Sequence, residues 1–348
     1  MPTFSIILPT RNRPSLFGRA LASVVDQTCE SMEIIVVNDG SQQEHIAEYQ
    51  SIIEAARRPI EIHHLVERPN GHGQSYAVNV GAAAARGEYL CFLDDDDLWT
   101  DCDYLLRIQN SMEKRKDLPD LIFSNQEAFL HDRRQERSIW FEGLAAQLCA
   151  SRSPDEWGLY RVDVDELVNS PGFCHMNTMI VRRRLFDTVR GMDEGIRWEC
   201  DHDLFLRLVD RAGMMLLSPV FVARHNIPDP TAAASMTTTL SGIERRLFQL
   251  RVFDKAALFA ERPEIRARGR QYKGYTLKRI VENLESQRKY KAAAFYAREA
   301  LGAAPTLKWA AYWCFLTLIA FRSGSEARLG TTTFMKRWLE KLKWRRGH

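Results

Sequence analysis

Residues 77–99, AVNVGAAAARGEYLCFLDDDDLW, decide the fold of this chain. The segment begins with small residues typical of a helix, breaks at Arg86-Gly87 and continues as an apolar run of strand length, residues 89–93. Four aspartates follow, at positions 94–97. Adjacent carboxylates resist ionising together, so this cluster is costly unless a cation lies among them. The alternative role for these aspartates is to cap the N-terminus of the next helix, but a cap needs only one such residue. The sequence therefore predicts a site for Mg²⁺ or Mn²⁺, which take oxygen ligands, at the end of a buried strand.

The same alternation of strand and helix runs outward in both directions. Buried strands are predicted at residues 3–8, 33–37, 60–66, 121–124, 176–181 and 214–223, and helices at 15–27, 41–57, 101–115 and 201–212. This pattern predicts an α/β fold, a mostly parallel sheet sandwiched by helices. The polar segments PTRNR, NDGS and the 68–73 loop each follow a strand, as the aspartates do. Ligands of such sheets bind at the carboxyl ends of the strands, so we expect these segments to form one site.

From residue 240 onward the pattern becomes helical, and residues 263–305 read as a helical hairpin. We therefore expect a main domain over residues 1–235, with a nucleotide-binding half (1–115) and an acceptor half (116–235). We also expect a C-terminal all-helical appendage over 236–305, followed by an apolar, basic amphipathic segment over 306–348.

Charge is distributed unevenly along the chain. The 348 residues carry a net charge of +3, but residues 305–348 hold nine Lys or Arg and two acids. A basic tail on a slightly acidic body favours an anionic partner, either a membrane or a nucleic acid. Residues 334–344, FMKRWLEKLKW, mix aromatic and basic residues, as helices in a headgroup layer do. We therefore expect peripheral contact with an anionic membrane through the C-terminal tail, and no nucleic-acid partner.

The cysteines favour a reducing compartment. The seven are odd in number, scattered and without a C-x-x-C pair, which argues against a disulfide framework or a zinc site. No basic and apolar leader precedes the first strand, and the longest apolar run, residues 309–321, is too short to span a membrane. The expected location is the cytoplasm, at the inner face of the cell membrane where the tail binds it.

Several ordered motifs resemble family 2 glycosyltransferases, inverting GT-A (Rossmann-like) enzymes that use nucleotide-diphosphate sugars. IILPTRNRP (6–14) is similar to the family's nucleotide-binding loop, VVNDGS (36–41) to its VDDGS motif, and AVNVG (77–81) to its Ala-Arg-Asn-x-Gly segment. FLDDDDLW (92–99) resembles the metal-binding Asp-x-Asp motif, and GMDEGIRWECDHDLFLRL (191–208) resembles the segment that carries the catalytic base. Asn38, Val78 and Cys200 depart from the family pattern.

The resemblance implies a role for individual residues. Asp201 corresponds to the catalytic base, and Asp94, Asp96 and a downstream histidine, His225, correspond to the ligands of Mn²⁺ or Mg²⁺. The residues expected to contact the UDP-, GDP- or dTDP-sugar donor are Pro9, Thr10, Arg11, Arg13, Asp39, Arg68, Asn79, Asp94 and Asp95. Among these, the three arginines suit a bidentate grip on phosphate. Trp140, Trp157 and His175 lie where the family builds its acceptor pocket.

The implied function is transfer of a sugar to a glycan or lipid-linked acceptor, in surface polysaccharide biosynthesis. Two alternatives remain open from the sequence. One is a catalytically silent GT-A-like protein that binds glycans or acts as a scaffold. The other is a sugar-phosphate nucleotidyltransferase, although such enzymes usually carry a glycine-rich loop where PTRNRPS has no glycine. A dinucleotide-dependent oxidoreductase is disfavoured because no G-x-G-x-x-G follows the first strand.

Overall fold

The computed structural model describes residues 1–136, 140–227 and 240–322. The strands in these ranges are β1 (Phe4–Thr10), β2 (Met32–Asn38), β3 (Ile60–His64), β4 (Tyr89–Phe92), β5 (Leu98–Trp99), β6 (Leu121–Leu130), β7 (Arg133–Arg134), β8 (Tyr160–Val162), β9 (Met179–Arg182) and β10 (Met215–Asn226). They form one sheet in the order β3-β2-β1-β4-β9-β6-β10-β5, with β7 beside β6 and β8 beside β10. The predicted segment 334–344 lies outside the described residues.

Helices cover the sheet and build the C-terminal part. They are α1 (Pro14–Val25), α2 (Gln43–Glu54), α3 (Gln74–Ala84), α4 (Tyr104–Glu113), α5 (Glu142–Ser151), α6 (Val164–Asn169), α7 (Arg183–Thr188), α8 (Cys200–Arg211), α9 (Gly242–Phe259), α10 (Pro263–Ser286), α11 (Tyr290–Ala303) and α12 (Leu307–Arg322). A 3₁₀ turn, Met176–Thr178, precedes β9. No helix within the described ranges is long and apolar enough to cross a membrane.

The sheet is mostly parallel, as predicted. Strand β1 pairs in parallel with β2 and β4, β2 with β3, and β6 with β10. Strand β9 runs antiparallel between β4 and β6. Apolar residues are buried on both faces because helices lie on each. Phe17 of α1 and Leu105 of α4 belong to the core on one face. On the other, Phe186 of α7 contacts Phe92, and Phe205 of α8 contacts Phe123.

Several strands differ in their bounds from the prediction, including the one predicted at 121–124, which runs to Leu130, and two of the differences affect the candidate site. The strand predicted to begin at Met176 begins at Met179, because residues 176–178 form the 3₁₀ turn. The strand predicted to end at Ala223 continues to Asn226 after register shifts near Phe221. The first difference places Asn177 at the carboxyl edge of the parallel strands, and the second brings His225 into the sheet.

Two compact units are present, Met1–Leu240 with Lys255–Arg266, and Ser241–Asp254 with Ala267–His348. In the second unit, α10 and α11 form the helical hairpin expected between residues 263 and 305. Its core contains Ile280, Val281, Ala297 and Leu316, which is contributed by α12.

Candidate active site

The four aspartates form a tight turn after β4 in which alternate side chains have different surroundings. The Asp97 amide donates to the Asp94 carbonyl at 3.1 Å. Asp95 and Asp97 are each only 1% exposed, whereas Asp94 and Asp96 remain partly exposed. Two of the carboxylates are therefore built into the protein, and the other two remain accessible.

Asp95 joins the turn to the end of β1. The Thr10 hydroxyl donates to Asp95 at 2.7 Å, and Arg13 pairs with Asp95 and with Asp96, the latter at 2.8 Å. Burial raises the pKa of Asp95 to about 7, although Arg13 acts in the opposite direction. Three residues predicted to contact the donor, Thr10, Arg13 and Asp95, thus meet in one network. The backbone of Pro9 adjoins them in β1, paired with Val37 of β2.

Asp97 holds the histidine that sequence analysis placed at the metal. Nδ1 of His225 lies 2.7 Å from one carboxylate oxygen of Asp97, and the Asn226 amide donates to the other at 2.6 Å. Burial opposes both charges, but their attraction prevails: it lowers the pKa of Asp97 and raises that of His225 to about 9. Because Nδ1 is engaged, Nε2 is the ring nitrogen of His225 available to a metal.

Asn177 connects the aspartate turn to β9. Its side-chain oxygen Oδ1 accepts from the Asp94 backbone amide at 3.1 Å, and its side-chain nitrogen donates to Asp97 at 2.5 Å. The indole of Trp99 donates to the Asn177 backbone carbonyl at 2.8 Å. Asn177 is 1% exposed, so its amide cannot bond to water, and these bonds to protein groups satisfy it instead. It fixes the aspartates relative to one another.

The residues present fit a divalent cation. Ligand atoms of Asp94, Asp96 and Asp97 lie within 4.8 Å of one another, and those of Asp97, His175 and His225 form a second group with the same limit. Burial and the neighbouring carboxylates raise the pKa of Asp94 well above its usual range. A bound cation would act in the opposite direction and favour the ionised carboxylate. Since Asp97 is already bonded to His225, Asn226 and Asn177, the accessible Asp94 and Asp96 are the better donors.

Asp39, the other predicted acid, lies at the end of β2 and is 6% exposed. Its carboxylate accepts from the backbone amides of His72 at 2.8 Å and Gly73 at 2.9 Å, and contacts Nδ1 of His72 at 2.8 Å. The His72 ring stacks on Tyr76 of α3. Asp39 therefore fixes the 68–73 loop at the carboxyl edge of the sheet.

Arginines hold the same loop from both sides. Arg11 donates to the backbone carbonyls of Arg68 at 3.0 Å and Pro69 at 3.2 Å. Arg197 donates to the His72 carbonyl at 3.2 Å. Arg68, by contrast, is exposed. The structure thus brings Arg11 and Asp39 together on the loop and leaves the Arg68 side chain at the surface.

The predicted base, Asp201, lies in the first turn of α8. The helix follows Glu199, whose φ of 57° is left-handed. Cys200, which replaces the family's glutamate, donates its thiol to Gln74 at 3.3 Å, and Gln74 donates to Asp94 at 2.5 Å. Nε2 of His175 lies 3.6 Å from Asp201 and 3.9 Å from Asp94. His175 is therefore a neighbour of both Asp201 and Asp94, and Gln74 connects Asp94 to Cys200, the residue before Asp201.

Asn79 and the expected acceptor residues occupy three different positions. Asn79 bonds the segment before α8, donating to the Met192 carbonyl at 3.0 Å and accepting from its amide at 2.8 Å. Trp140 packs against the His175 and His225 rings. The placement of Trp157 beside them was wrong. It packs on Arg115, next to the segment that leads into β8, and β8 pairs with the start of β10 rather than with its carboxyl end.

Sequence reasoning missed His72, Gln74 and Asn177 and gave His175 only a general place. Each of these residues contacts a site residue at least 20 positions away in the sequence. Hydrophobic periodicity reports only local structure and does not detect such contacts.

Comparison with known proteins gives the same fold and family pattern. The family model described as "Glycosyl transferase family 2" matches residues 5–189. The succinoglycan biosynthesis protein ExoW of Rhizobium meliloti is 28% identical over 197 residues, which are 55% of this chain and 58% of ExoW. The chain spans 37% and 58% of the lengths of the first two curated relatives it matches.

Two solved structures have a similar fold. TarS residues 1–349 of S. aureus, in complex with UDP-GlcNAc, align with a TM-score of 0.62 at 15% identity, covering 96% of this chain and 95% of that one. The mannosyltransferase PcManGT of Pyrobaculum calidifontis, in complex with GDP-Man and Mn²⁺, aligns with a TM-score of 0.57 at 16% identity, covering 98% and 84%. The expected GT-A arrangement is thereby confirmed.

Proposed function

Since this chain belongs to glycosyl transferase family 2, we propose that it is a metal-dependent inverting glycosyltransferase that moves a sugar from a nucleotide-diphosphate donor to a glycan or lipid-linked acceptor, in surface polysaccharide biosynthesis. One observation carries the proposal. Asp39, the Asp94/Asp96 pair with His225, and Asp201 come from four distant parts of the sequence and lie at one edge of the sheet. A donor pocket, a cation site and a base are what this transfer requires.

In this proposal the donor nucleotide lies between the end of β1 and the 68–73 loop. Asp39 and the Pro9–Thr10 backbone shape this pocket, and Arg11, Arg13 and Arg68 supply positive charge for the diphosphate. Asp95 and Asn79 act indirectly, Asp95 by holding Arg13 and Asn79 by holding the segment before α8. TarS binds UDP-GlcNAc and PcManGT binds GDP-Man, which supports a UDP- or GDP-sugar as the donor of this chain.

Asp94, Asp96 and Nε2 of His225 would hold Mn²⁺ or Mg²⁺. When bound, the cation supplies Lewis-acid stabilisation of the charge that develops on the leaving diphosphate. Asp97 and Asn177 keep the ligands in place through the bonds described above, which is the usual role of residues behind a metal site.

Asp201 carries the proton step. The acceptor hydroxyl oxygen attacks the anomeric carbon while the bond from that carbon to the diphosphate oxygen breaks, and its electron pair leaves with the diphosphate. The hydroxyl proton passes to the Asp201 carboxylate. A single displacement from the face opposite the leaving group inverts the anomeric configuration.

The exposed face of α12 supports the proposed membrane contact. Leu307, Leu318 and Phe321 are 93%, 64% and 84% exposed, and their spacing places them on one side of the helix. The only charged residues of α12 are Lys308 and Arg322. A second copy of this face would oppose like charges, whereas an anionic headgroup layer would attract them.

The decisive experiment measures thermal unfolding with UDP-, GDP- and dTDP-sugars, each with and without Mn²⁺. A donor at 100 times its Kd stabilises the native state by about 2.7 kcal/mol. We expect one donor class to raise Tm only with metal, Asp96→Ala to abolish that shift, and Asp117→Ala, an exposed acid, to preserve it.

Activity is then measured with the donor that stabilises the protein. Asp201→Asn should retain the metal-dependent Tm shift while turnover falls on the order of 10²- to 10⁴-fold. Stabilisation that persists in Asp96→Ala would refute the metal site. A native protein that binds donor but never releases nucleotide would instead be a silent binding protein.

A further inference from the structure

His175 occupies a position between the candidate base and the aspartate turn. Its Nε2 lies 3.6 Å from a carboxylate oxygen of Asp201 and 3.9 Å from one of Asp94. The side chain is 13% exposed. It caps the 3₁₀ turn Met176–Thr178, which directly precedes β9. The family resemblance places His175 at the acceptor pocket but gives it no role toward the catalytic base.

The hydrogen bonding of the ring fixes its tautomer. The backbone amide of Asn177 donates to Nδ1 of His175 at 3.4 Å. A nitrogen that accepts a hydrogen bond carries no proton, so in the neutral ring the proton is on Nε2. The N–H group of the imidazole therefore faces Asp201 and Asp94.

Aromatic neighbours hold the ring in this orientation. Trp140 meets His175 edge-on with ring centres 6.3 Å apart, and the His225 ring lies 5.0 Å away. Since Asn177 also bonds Asp94 and Asp97, the turn that places His175 is the same turn that places the aspartates.

We propose that His175 is a positioning residue for Asp201, donating Nε2–H to the carboxylate and holding it toward the acceptor hydroxyl. The inference rests on the proposed role of Asp201 as base. The 3.6 Å separation is slightly longer than a hydrogen bond, and catalytic contacts commonly shorten when substrate is bound. The acceptor proton goes to Asp201, and His175 keeps its own proton throughout.

A metal ligand at His175 would require a different tautomer. A protonated Nε2 has no lone pair for a cation, and Nδ1 already accepts from Asn177. Asp97, the carboxylate of the group that includes His175 and His225, is already bonded to His225 and Asn226. The geometry therefore assigns His225 to the metal and His175 to the base.

The first test is independent of activity. Long-range ¹H–¹⁵N correlation spectra of the full chain at neutral pH should show His175, identified by its disappearance in His175→Gln, as the Nε2–H tautomer. Asp201→Asn should shift its Nε2 signals, and His63→Gln, on β3, should leave them unchanged. An Nδ1–H tautomer, or signals that do not respond to Asp201→Asn, would overturn the proposal.

The second test separates positioning from metal binding and from folding. Nucleotide release is measured with UDP-GlcNAc and GDP-mannose as probes, and Mn²⁺ affinity by electron paramagnetic resonance. We expect His175→Ala to lower kcat by about 10- to 100-fold with KM for the donor and Mn²⁺ affinity unchanged. His175→Gln, which retains an N–H donor, should recover most of the kcat.

Each other outcome has a defined meaning. Weakened Mn²⁺ binding in His175→Ala would make His175 a ligand and refute the positioning role, as would a kcat equal to wild type. If the wild-type protein releases no nucleotide from any donor, the proposed function fails, and the tautomer experiment alone decides whether His175 pairs with Asp201.

Discussion

At the scale of single residues, the site works by dividing similar groups between different tasks. Four adjacent aspartates have the same chemistry, but Asp95 and Asp97 are buried against Arg13 and His225 while Asp94 and Asp96 remain accessible. Burial without compensation raises a carboxyl pKa, and a close cation lowers it. The neighbours of each aspartate, rather than its place in the motif, therefore determine its state.

Gly71 provides a residue-level test of the donor pocket. Its φ is +62°, and a Cβ there would lie 2.5 Å from a carboxylate oxygen of Asp39 and 2.9 Å from Cδ of Arg11. Gly71→Ala must displace the loop or Asp39, and the left-handed backbone adds about 1–3 kcal/mol of strain. We expect affinity for UDP and GDP, measured by isothermal titration calorimetry, to fall at least about tenfold, which is 1.4 kcal/mol.

Gly143→Ala is the matched control. Gly143 lies in α5, and a Cβ there would meet no atom within 4 Å. Alanine is a better helix former than glycine, so the protein should be no less stable and nucleotide affinity should not change. Unchanged affinity in Gly71→Ala would contradict the placement of the nucleotide at this loop.

At the scale of elements, one side chain fastens three neighbouring strands at the edge opposite the site. Glu33 of β2 accepts from the Ser5 hydroxyl of β1 at 2.5 Å and from the Arg86 and Gly87 amides before β4, at 2.6 and 3.2 Å. The Arg86 side chain also pairs with it at 2.6 Å. The strands that carry Thr10, Asn38 and the aspartates are thus fixed relative to one another at their amino ends.

This fastening predicts a pH dependence of stability. Burial acts to raise the pKa of Glu33, but the bonds from Ser5 and Arg86 outweigh it, and the net pKa is lowered. The unfolded carboxylate therefore binds a proton at higher pH than the folded one. The stabilisation is fully present above the unfolded pKa, near 4.3, and is lost as pH falls through the folded value.

Urea unfolding of Glu33→Gln checks this prediction. The variant should be less stable than wild type at pH 7, and the difference should shrink as pH falls below about 4. Glu48→Gln, an exposed position of α2, should match wild type throughout. A difference that stays constant between pH 7 and pH 3 would show that the Glu33 charge does not contribute.

At the scale of the whole molecule, charge and apolar surface both concentrate toward the C-terminus. Residues 305–348 carry +7, so the remaining chain carries −4. The exposed face of α12 supplies apolar area in the same region. Each basic residue near an anionic leaflet contributes about 1 kcal/mol, and salt screens that attraction. This distribution favours membrane contact through the C-terminal region.

Liposome sedimentation tests this distribution. The intact chain should pellet with vesicles containing phosphatidylserine, less so at high salt, and not with neutral vesicles. Leu318→Glu and deletion of residues 334–348 should each move protein to the supernatant. Thr317→Glu places the same charge on an exposed position beside the apolar face and should have a smaller effect. Absence of the intact chain from anionic pellets would refute the membrane proposal.

The fold class was predictable because it depends on local order. Buried strands contain continuous apolar runs, such as residues 34–37, and the helices between them, including α1 with Phe17 and Val24 on its core face, repeat with helical period. Alternation of the two forces a parallel sheet, and parallel strands place the segments that follow them at one edge. Asp39 and the aspartates were therefore predictable as neighbours without coordinates.

A metal site and a nucleotide-sugar donor could be predicted from the sequence, because clustered aspartates and ordered motifs are local properties. Which groups share an environment depends on the tertiary structure. His175 and Asn177 are about 80 positions from Asp94 in the sequence, and the antiparallel β9 with its 3₁₀ turn brings them next to it. A bulge in β10 extends that strand, so that His225 contacts Asp97. Such contacts depend on strand register, which arises when the whole core packs and leaves no trace in any one segment. The four aspartates identify the site, and their partners across the sheet determine how each of them acts.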